Sequence, residues 1–250
     1  MKKKIYFLSG LPRAGNTLFS SLINQNKNIK VGANTVLTDA IFGLNIIKDY
    51  DIFHNFPDHE SLDNIINNVF LNYYKNWNCD YIIDRGPWGT PTNLMLLKKI
   101  IKKPKFIILY RPVLECLASF IKIEKPIDVE ERCHVLMNFE NASKPSSGML
   151  AKYLWSIKNI IKENEDHLII NYNEFIKNPK KTISDVSKFI GVPLKLNNKI
   201  EQFKINNISY QDNIHKIRTR ITAGPLGEIE KYLPNKIIET YSNLDIVNKG

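Results

Sequence analysis

The sequence predicts an α/β protein of three layers, a parallel sheet flanked by helices on both faces. Three observations predict it. Short runs of consecutive apolar residues recur along the chain, without the alternation expected of a sheet with one wet face. Segments of helical periodicity separate those runs. The residues able to do chemistry fall just after the runs, at the carboxyl ends of the expected strands, where open parallel sheets hold their ligands.

Taken in order, Lys4–Ser9 reads as a short apolar strand, followed by a Gly/Pro loop and a helix from Thr17 to about Gln25. Tyr81–Asp84 and Phe106–Tyr110 are two further buried strands. Asn93–Lys103 between them is helical in pattern, and Val113–Lys122 follows the second as another helix. Leu150–Asn164 is a longer amphipathic helix, and His167–Asn171 is a fourth strand. Asn178 supplies an N-cap and Pro179 the first position of a further helix, which Gly191 closes before Pro193.

A chain of 250 residues, 43% of them hydrophobic, buries a large core without disulfides or metal. No Gly/Ser-rich or Pro-rich linker interrupts it, so residues 1–250 read as one domain. Cys79, Cys116 and Cys133 are odd in number and widely spaced, which suits a reducing cytoplasm. Ile5–Leu8 is too short for a secretory leader, and no other segment approaches membrane-span length. The net charge of +10 suits an anionic ligand. Its lysines are scattered and lack interleaved aromatic residues, which favours a solvated basic surface over a nucleic-acid groove. His54, His59, His134, His167 and His215 show no paired ligand spacing, so no metal site is expected.

Gly10-Leu11-Pro12-Arg13-Ala14-Gly15-Asn16-Thr17 has the glycine spacing and terminal threonine of a phosphate-binding P-loop. Such a loop turns backbone N–H groups toward an anion at a helix N-terminus. The lysine that would precede Thr17 is Asn16, so the β/γ-phosphate clamp of a kinase or nucleoside triphosphatase is missing. Arg13 offers a cation at another point of the loop. The alternative is an ordinary glycine-rich βα turn.

Phe7–Leu18 resembles the 5′-phosphosulfate loop of the sulfotransferase family, with Asn16 where Ser or Thr is usual. The resemblance implies that Arg13, Ala14, Leu18 and the amides of Gly15, Asn16 and Thr17 surround the 5′-phosphosulfate of 3′-phosphoadenosine 5′-phosphosulfate (PAPS). Arg111 ends the strand Phe106–Tyr110 and Ser119 follows eight residues later, an arrangement similar to the family's 3′-phosphate pair. Read alone, the two could equally be a surface arginine and a packed helix serine. Tyr172, in Asn171-Tyr172-Asn173-Glu174 ahead of Asn178-Pro179, resembles the family's adenine-facing tyrosine; the alternative is a buried core tyrosine. His215–Arg220 is similar to its basic closing segment, with Arg218 as the nucleotide contact. The resemblance runs from Ile5 to about Tyr241.

Sulfuryl transfer needs in-line positioning and charge stabilisation, with little covalent work for the protein. The family's glutamate after the first helix has no counterpart in Val31–Thr35. Asp84 and Arg85, at a strand end, are the candidate general base and second sulfuryl-stabilising cation; the rival reading is a pair that orders the loop. Asp39 and His54 are further base candidates. Ala33–Glu60 and Glu124–Ser147 are expected to border the acceptor, a small molecule, glycan or peptide, with Tyr50, Phe53, Phe56 and Trp88 as candidate apolar lining. The expected activity is sulfuryl transfer from PAPS to a hydroxyl or amine. A catalytically altered nucleotide-binding relative and an ATP-dependent small-molecule kinase are the alternatives.

Overall fold

In a computed structural model, which describes residues 3–138, 148–197, 200–211, 215, 217, 228–244 and 246, the chain forms a five-stranded sheet with helices around it. β1 (Lys4–Leu8) leads into α1 (Asn16–Asn24), which returns to β2 (Ile29–Asn34). A helical stretch follows: α2 (Leu37–Ile46), α3 (Asp51–Asn55), α4 (His59–Asn67) and α5 (Val69–Tyr73). β3 (Tyr81–Arg85), α6 (Pro91–Ile100), β4 (Lys105–Tyr110), α7 (Val113–Glu124), α8 (Val129–Leu136), α9 (Met149–Lys162) and β5 (Asp166–Asn171) complete the sheet and its cover. α10 (Tyr172–Lys177), α11 (Pro179–Ile190), the hairpin β6 (Lys204–Ile205) and β7 (Ile208–Ser209), and α12 (Asn235–Tyr241) make up the remainder.

The strand order is β2-β3-β1-β4-β5, with every pairing in this sheet parallel. The four strands expected from the sequence are all present, and the three-layer reading holds. β2 was not anticipated. Its sequence, IKVGAN, offers two apolar residues in six and ends in weak strand formers. It is held by pairing with β3 and by the packing of Gly32 beneath Tyr74 and Trp77.

β1, β3 and β4 are buried on both faces, as uninterrupted apolar runs require. Phe7, Leu8, Ile82, Ile83, Phe106 and Ile107 are fully buried. Phe7 packs edge-on against Phe70 and Trp88, with ring centroids 5.8 and 5.4 Å away. Trp88 therefore belongs to the core and does not line an acceptor pocket, while Tyr50 and Phe56 are exposed. α11 begins and ends as its sequence dictates: Asn178 Oδ1 accepts from the Lys181 N–H at 3.0 Å, and Gly191 takes φ 68° at the C-terminus.

The carboxyl ends of the strands are tied together by buried polar groups. The hydroxyls of Ser9 and Ser156 lie 2.9 Å apart, Ser9 donates to the Gly86 carbonyl at 3.2 Å, and Ser156 Oγ accepts from the Gly89 N–H at 2.8 Å. These bonds fix the loops after β1 and β3 to α9. No described helix is long and apolar enough to cross a membrane.

Candidate functional site

The loop after β1 is built for an anion. Arg13 and Gly15 both have left-handed backbone conformations, with φ 70° and 81°. α1 starts at Asn16 with Gly15 as its N-cap, a residue with no side chain to cap the N–H groups of the first turn. Ala14 is fully buried, its N–H donating to the Leu11 carbonyl at 3.0 Å, while Thr17 and Leu18 are partly exposed on the first turn.

Asn16 does not point its side chain outward. Nδ2 donates to the Leu11 carbonyl at 2.7 Å, and Oδ1 is buried without a hydrogen-bond partner. This conformation depends on Gly10: a Cβ there would lie 1.8 Å from Asn16 Oδ1. Asn16, the departure from the family's usual hydroxyl residue, and Gly10 are thus a steric pair. Gly10→Ala is expected to destabilise the protein by roughly 1–3 kcal/mol, through a displaced buried amide. The smaller Asn16→Ser in the same chain is expected to recover most of it. Denaturant midpoints of the two single variants and the double variant check the coupling; additive losses would refute it.

Arg13 reaches across to α7, where Nε donates to Ser119 Oγ at 3.3 Å. Its guanidinium also lies 6.0 Å from the centre of the Phe120 ring. From the end of β4, Arg111 Nη1 donates to the Arg13 carbonyl at 3.1 Å. Burial, and next the neighbouring Arg111 guanidinium, push the Arg13 pKa down from its ordinary value. Arg111 is 4% exposed and Ser119 8%. Arg13, Arg111 and Ser119, three of the residues singled out in the sequence, therefore converge at the ends of β1 and β4.

Tyr172 joins them from the end of β5, but not as an open stacking surface. Its ring is 6% exposed, with the Arg111 guanidinium 4.4 Å from its centre and its edge against Gly15. A Cβ on Gly15 would lie 2.9 Å from that ring. The adenine-facing surface expected of Tyr172 is occupied by Arg111 on the side that the structure records. Arg218 lies outside the described residues.

On the other side of β1 the expectation for Asp84 is overturned. Asp84 is fully buried, accepting hydrogen bonds from the Tyr74 hydroxyl and, at 2.7 Å, from Trp88 Nε1. Burial pushes its carboxyl up to about 7, partly offset by the donors Tyr74, Trp88 and Thr35. Consecutive strand residues point to opposite faces, so Asp84 and Arg85 could not both meet one ligand. Arg85 turns the other way and is 7% exposed: Nη1 donates to the Tyr210 hydroxyl at 3.2 Å, and it forms no ion pair among the described residues.

Several neighbours of these residues escaped the sequence. Tyr153 on α9 is buried beside Arg85 and donates to Asn34 Oδ1 at 3.2 Å. Burial pushes its phenol up to about 12, partly offset by Arg85. Glu115 pairs with Arg111 Nε at 3.0 Å; an acid four residues after an arginine was the available signal. Asp39 stands exposed on the first turn of α2, 3.7 Å from Lys152 Nζ, and His54 is exposed on α3. Among the described residues no group of three acids, histidines or cysteines is placed to hold a metal ion.

Arg13, Arg111 and Tyr172 thus follow the ends of β1, β4 and β5, with Arg85, Asn34 and Tyr153 on the side of β2 and β3. A parallel sheet with a glycine loop at the head of its first helix places the chain among the P-loop-like α/β proteins. Among them, the sulfotransferase-domain family model matches residues 4–243, and the chain belongs to the sulfotransferase family. Its class of chemistry is accordingly sulfuryl transfer. The sulfotransferase domain of the Synechococcus PCC 7002 olefin synthase superposes with TM-score 0.60 at 13% identity, over 97% of this chain and 96% of that one. A mouse sulfotransferase, SULT7A1, in complex with PAP, gives 0.57 at 12% identity, over 98% and 83%. An Alicyclobacillus acidocaldarius sulfotransferase gives 0.53 at 12% identity, over 86% and 88%. At such identities the structural likeness carries the fold alone. No curated protein matches the sequence.

Proposed function

We propose that this chain, as a single domain over residues 1–250, moves the sulfuryl group of PAPS to a hydroxyl or amine and releases 3′-phosphoadenosine 5′-phosphate (PAP). The observation that carries the reading is the meeting of Arg13, Arg111 and Ser119, two guanidiniums and a hydroxyl, with Glu115 the one carboxylate paired to them among the described residues. Glu115 offsets one of the two neighbouring cations, which leaves an excess of positive charge for an anion to join. A nucleotide with a phosphate at each end of the ribose is such an anion.

In this reading the α1 amides and Arg13 hold the 5′-phosphosulfate, while Arg111 and Ser119 hold the 3′-phosphate. The bond between sulfur and the phosphate oxygen breaks as the acceptor's oxygen or nitrogen bonds to sulfur; the leaving nucleotide keeps the electron pair, and the acceptor's proton passes to water. Arg13 lies on the donor side of the sulfuryl group and Arg85 on the acceptor side, each neutralising charge on its oxygens. The acceptor, a small molecule, glycan or peptide, approaches over β2 and β3, where Asp39 is one of several exposed carboxylates. The buried free cysteines suit a reducing cytoplasm.

Calorimetry tests the donor. PAP is expected to bind at least roughly tenfold more tightly than ATP with magnesium; equal or tighter ATP binding overturns the reading in favour of a kinase. A second reading, a relative that binds the nucleotide without transferring the group, is favoured by the burial of Asp84, which takes that carboxylate out of the crevice. PAPS consumption with a panel of phenol, amine and sugar acceptors separates the two.

A further inference from the structure

Arg111 is gripped on three sides. Its Nε donates to Glu115 Oε2 at 3.0 Å, its Nη1 to the Arg13 carbonyl at 3.1 Å, and its plane lies against the Tyr172 ring, 4.4 Å from the centre. Glu115 is itself held from α10, since Asn173 Nδ2 donates to its Oε1 at 3.4 Å. Asn173 is in turn set by Asn171, whose Oδ1 accepts from the backbone N–H groups of Asn173 and Glu174 at 2.8 and 3.3 Å. A chain of contacts therefore runs from the end of β5, through Asn173 and Glu115, to the arginine at the end of β4.

A carboxylate beside a phosphate site is at first sight a liability, because it repels the ligand and occupies a donor of the arginine meant to bind it. Its geometry gives it another use. Nε is the donor that lies along the arginine stem. Capturing it fixes the rotation of the guanidinium plane and leaves Nη2 and the second N–H of Nη1 as the donors for a ligand. The guanidinium carries its charge wherever it points, but recognition of a phosphate by two parallel N–H groups depends on the plane.

We propose that Glu115, held by Asn173, is a positioning residue that orients Arg111 for the 3′-phosphate of the nucleotide. The inference rests on the PAPS reading above. It predicts that orientation outweighs charge: removing the carboxylate weakens binding although the pocket becomes more positive.

The test is calorimetric titration of Glu115→Ala, Glu115→Gln and Glu115→Asp with PAP and with ADP, which lacks the 3′-phosphate. Glu115→Ala is expected to weaken PAP roughly tenfold and to change ADP less than about threefold. Glu115→Gln keeps an oxygen that can accept from Nε while losing the charge, and is expected to bind PAP within about threefold of wild type. Glu115→Asp keeps the charge but draws the oxygens back by one methylene, and is expected to resemble the alanine variant. Asn173→Ala is expected to give a smaller loss in the same direction.

Alanine and glutamine variants that both bind PAP as tightly as wild type, or more tightly, overturn the proposal, because charge then dominates. Equal losses for PAP and ADP overturn it too, since they signify general damage to the fold. Should Glu115→Ala fail to fold, the comparison of the glutamine and aspartate variants decides the matter by itself. Arg111→Ala distinguishes failure of the premise: if it leaves PAP binding intact, the nucleotide reading falls first.

Discussion

Arg111→Ala is expected to weaken PAP binding about 100-fold, roughly 3 kcal/mol, while leaving ADP binding within a few-fold of wild type. The size follows from two losses together. On the proposed reading, the 3′-phosphate loses a buried, charge-assisted partner at a residue that is 4% exposed. Glu115, whose partner at 3.0 Å is gone, then faces the dianion with its charge uncompensated. Arg111→Lys is expected to recover only part of the affinity. An ammonium restores the charge but cannot occupy Glu115, the Arg13 carbonyl and a phosphate in one plane. The same titrations at rising salt are expected to show a shallower dependence for the alanine variant than for wild type. An alanine variant that binds PAP normally would remove the basis for the donor assignment.

The second large effect concerns stability and pH. Asp84 is fully buried, and its carboxyl is pushed up to about 7 from an ordinary value of 3.8. Below about pH 4 both the folded and the unfolded chains hold the proton. Between about pH 4 and 7 only the folded chain does, so this group's contribution declines as pH rises and is lost once pH passes about 7. Three units correspond to a contribution on the order of 4 kcal/mol. Asp84→Asn removes the titration while keeping an acceptor for Trp88 Nε1. Thermal unfolding between pH 4.5 and 8 is expected to show the asparagine variant gaining steadily on wild type as pH rises. A constant difference would mean that Tyr74, Trp88 and Thr35 stabilise the carboxylate fully, and that Asp84 is ionised in the folded state at every pH tested.

How far the sequence disclosed this molecule varies with the range of the interactions concerned. The loop after β1 was readable because its chemistry is local: two glycines, an arginine and a helix start in eight residues. Arg111 and Ser119 were readable because a strand end followed by a helix fixes their relation over nine residues. What escaped depends on contacts between distant segments. Asp84 was taken for a crevice residue, although the pleat sends it opposite to Arg85; beside Tyr74 and Trp88, which are near in sequence, its partners include Thr35 from the loop after β2. Tyr172 was read as a stacking surface because nothing in its own segment reveals that Arg111 already lies on it. Tyr210 reaches Arg85 across 125 residues. The hairpin that precedes Tyr210 had a local signal, the pair Asn206-Asn207, both with positive φ.

The helices α2–α5 lie between two strands that are neighbours in the sheet. A parallel crossover needs only about a dozen residues, and this one is far longer. Its α5 end is anchored in the core, with Phe70 on Phe7 of β1, whereas α3 buries no residue and takes no part in holding Arg13 against Arg111. Inheritance can therefore treat α3 and its flanks as a replaceable cassette. Descendants of one ancestor can exchange it, lengthen it or trim it to receive new acceptors, while the grip on the donor passes on unchanged.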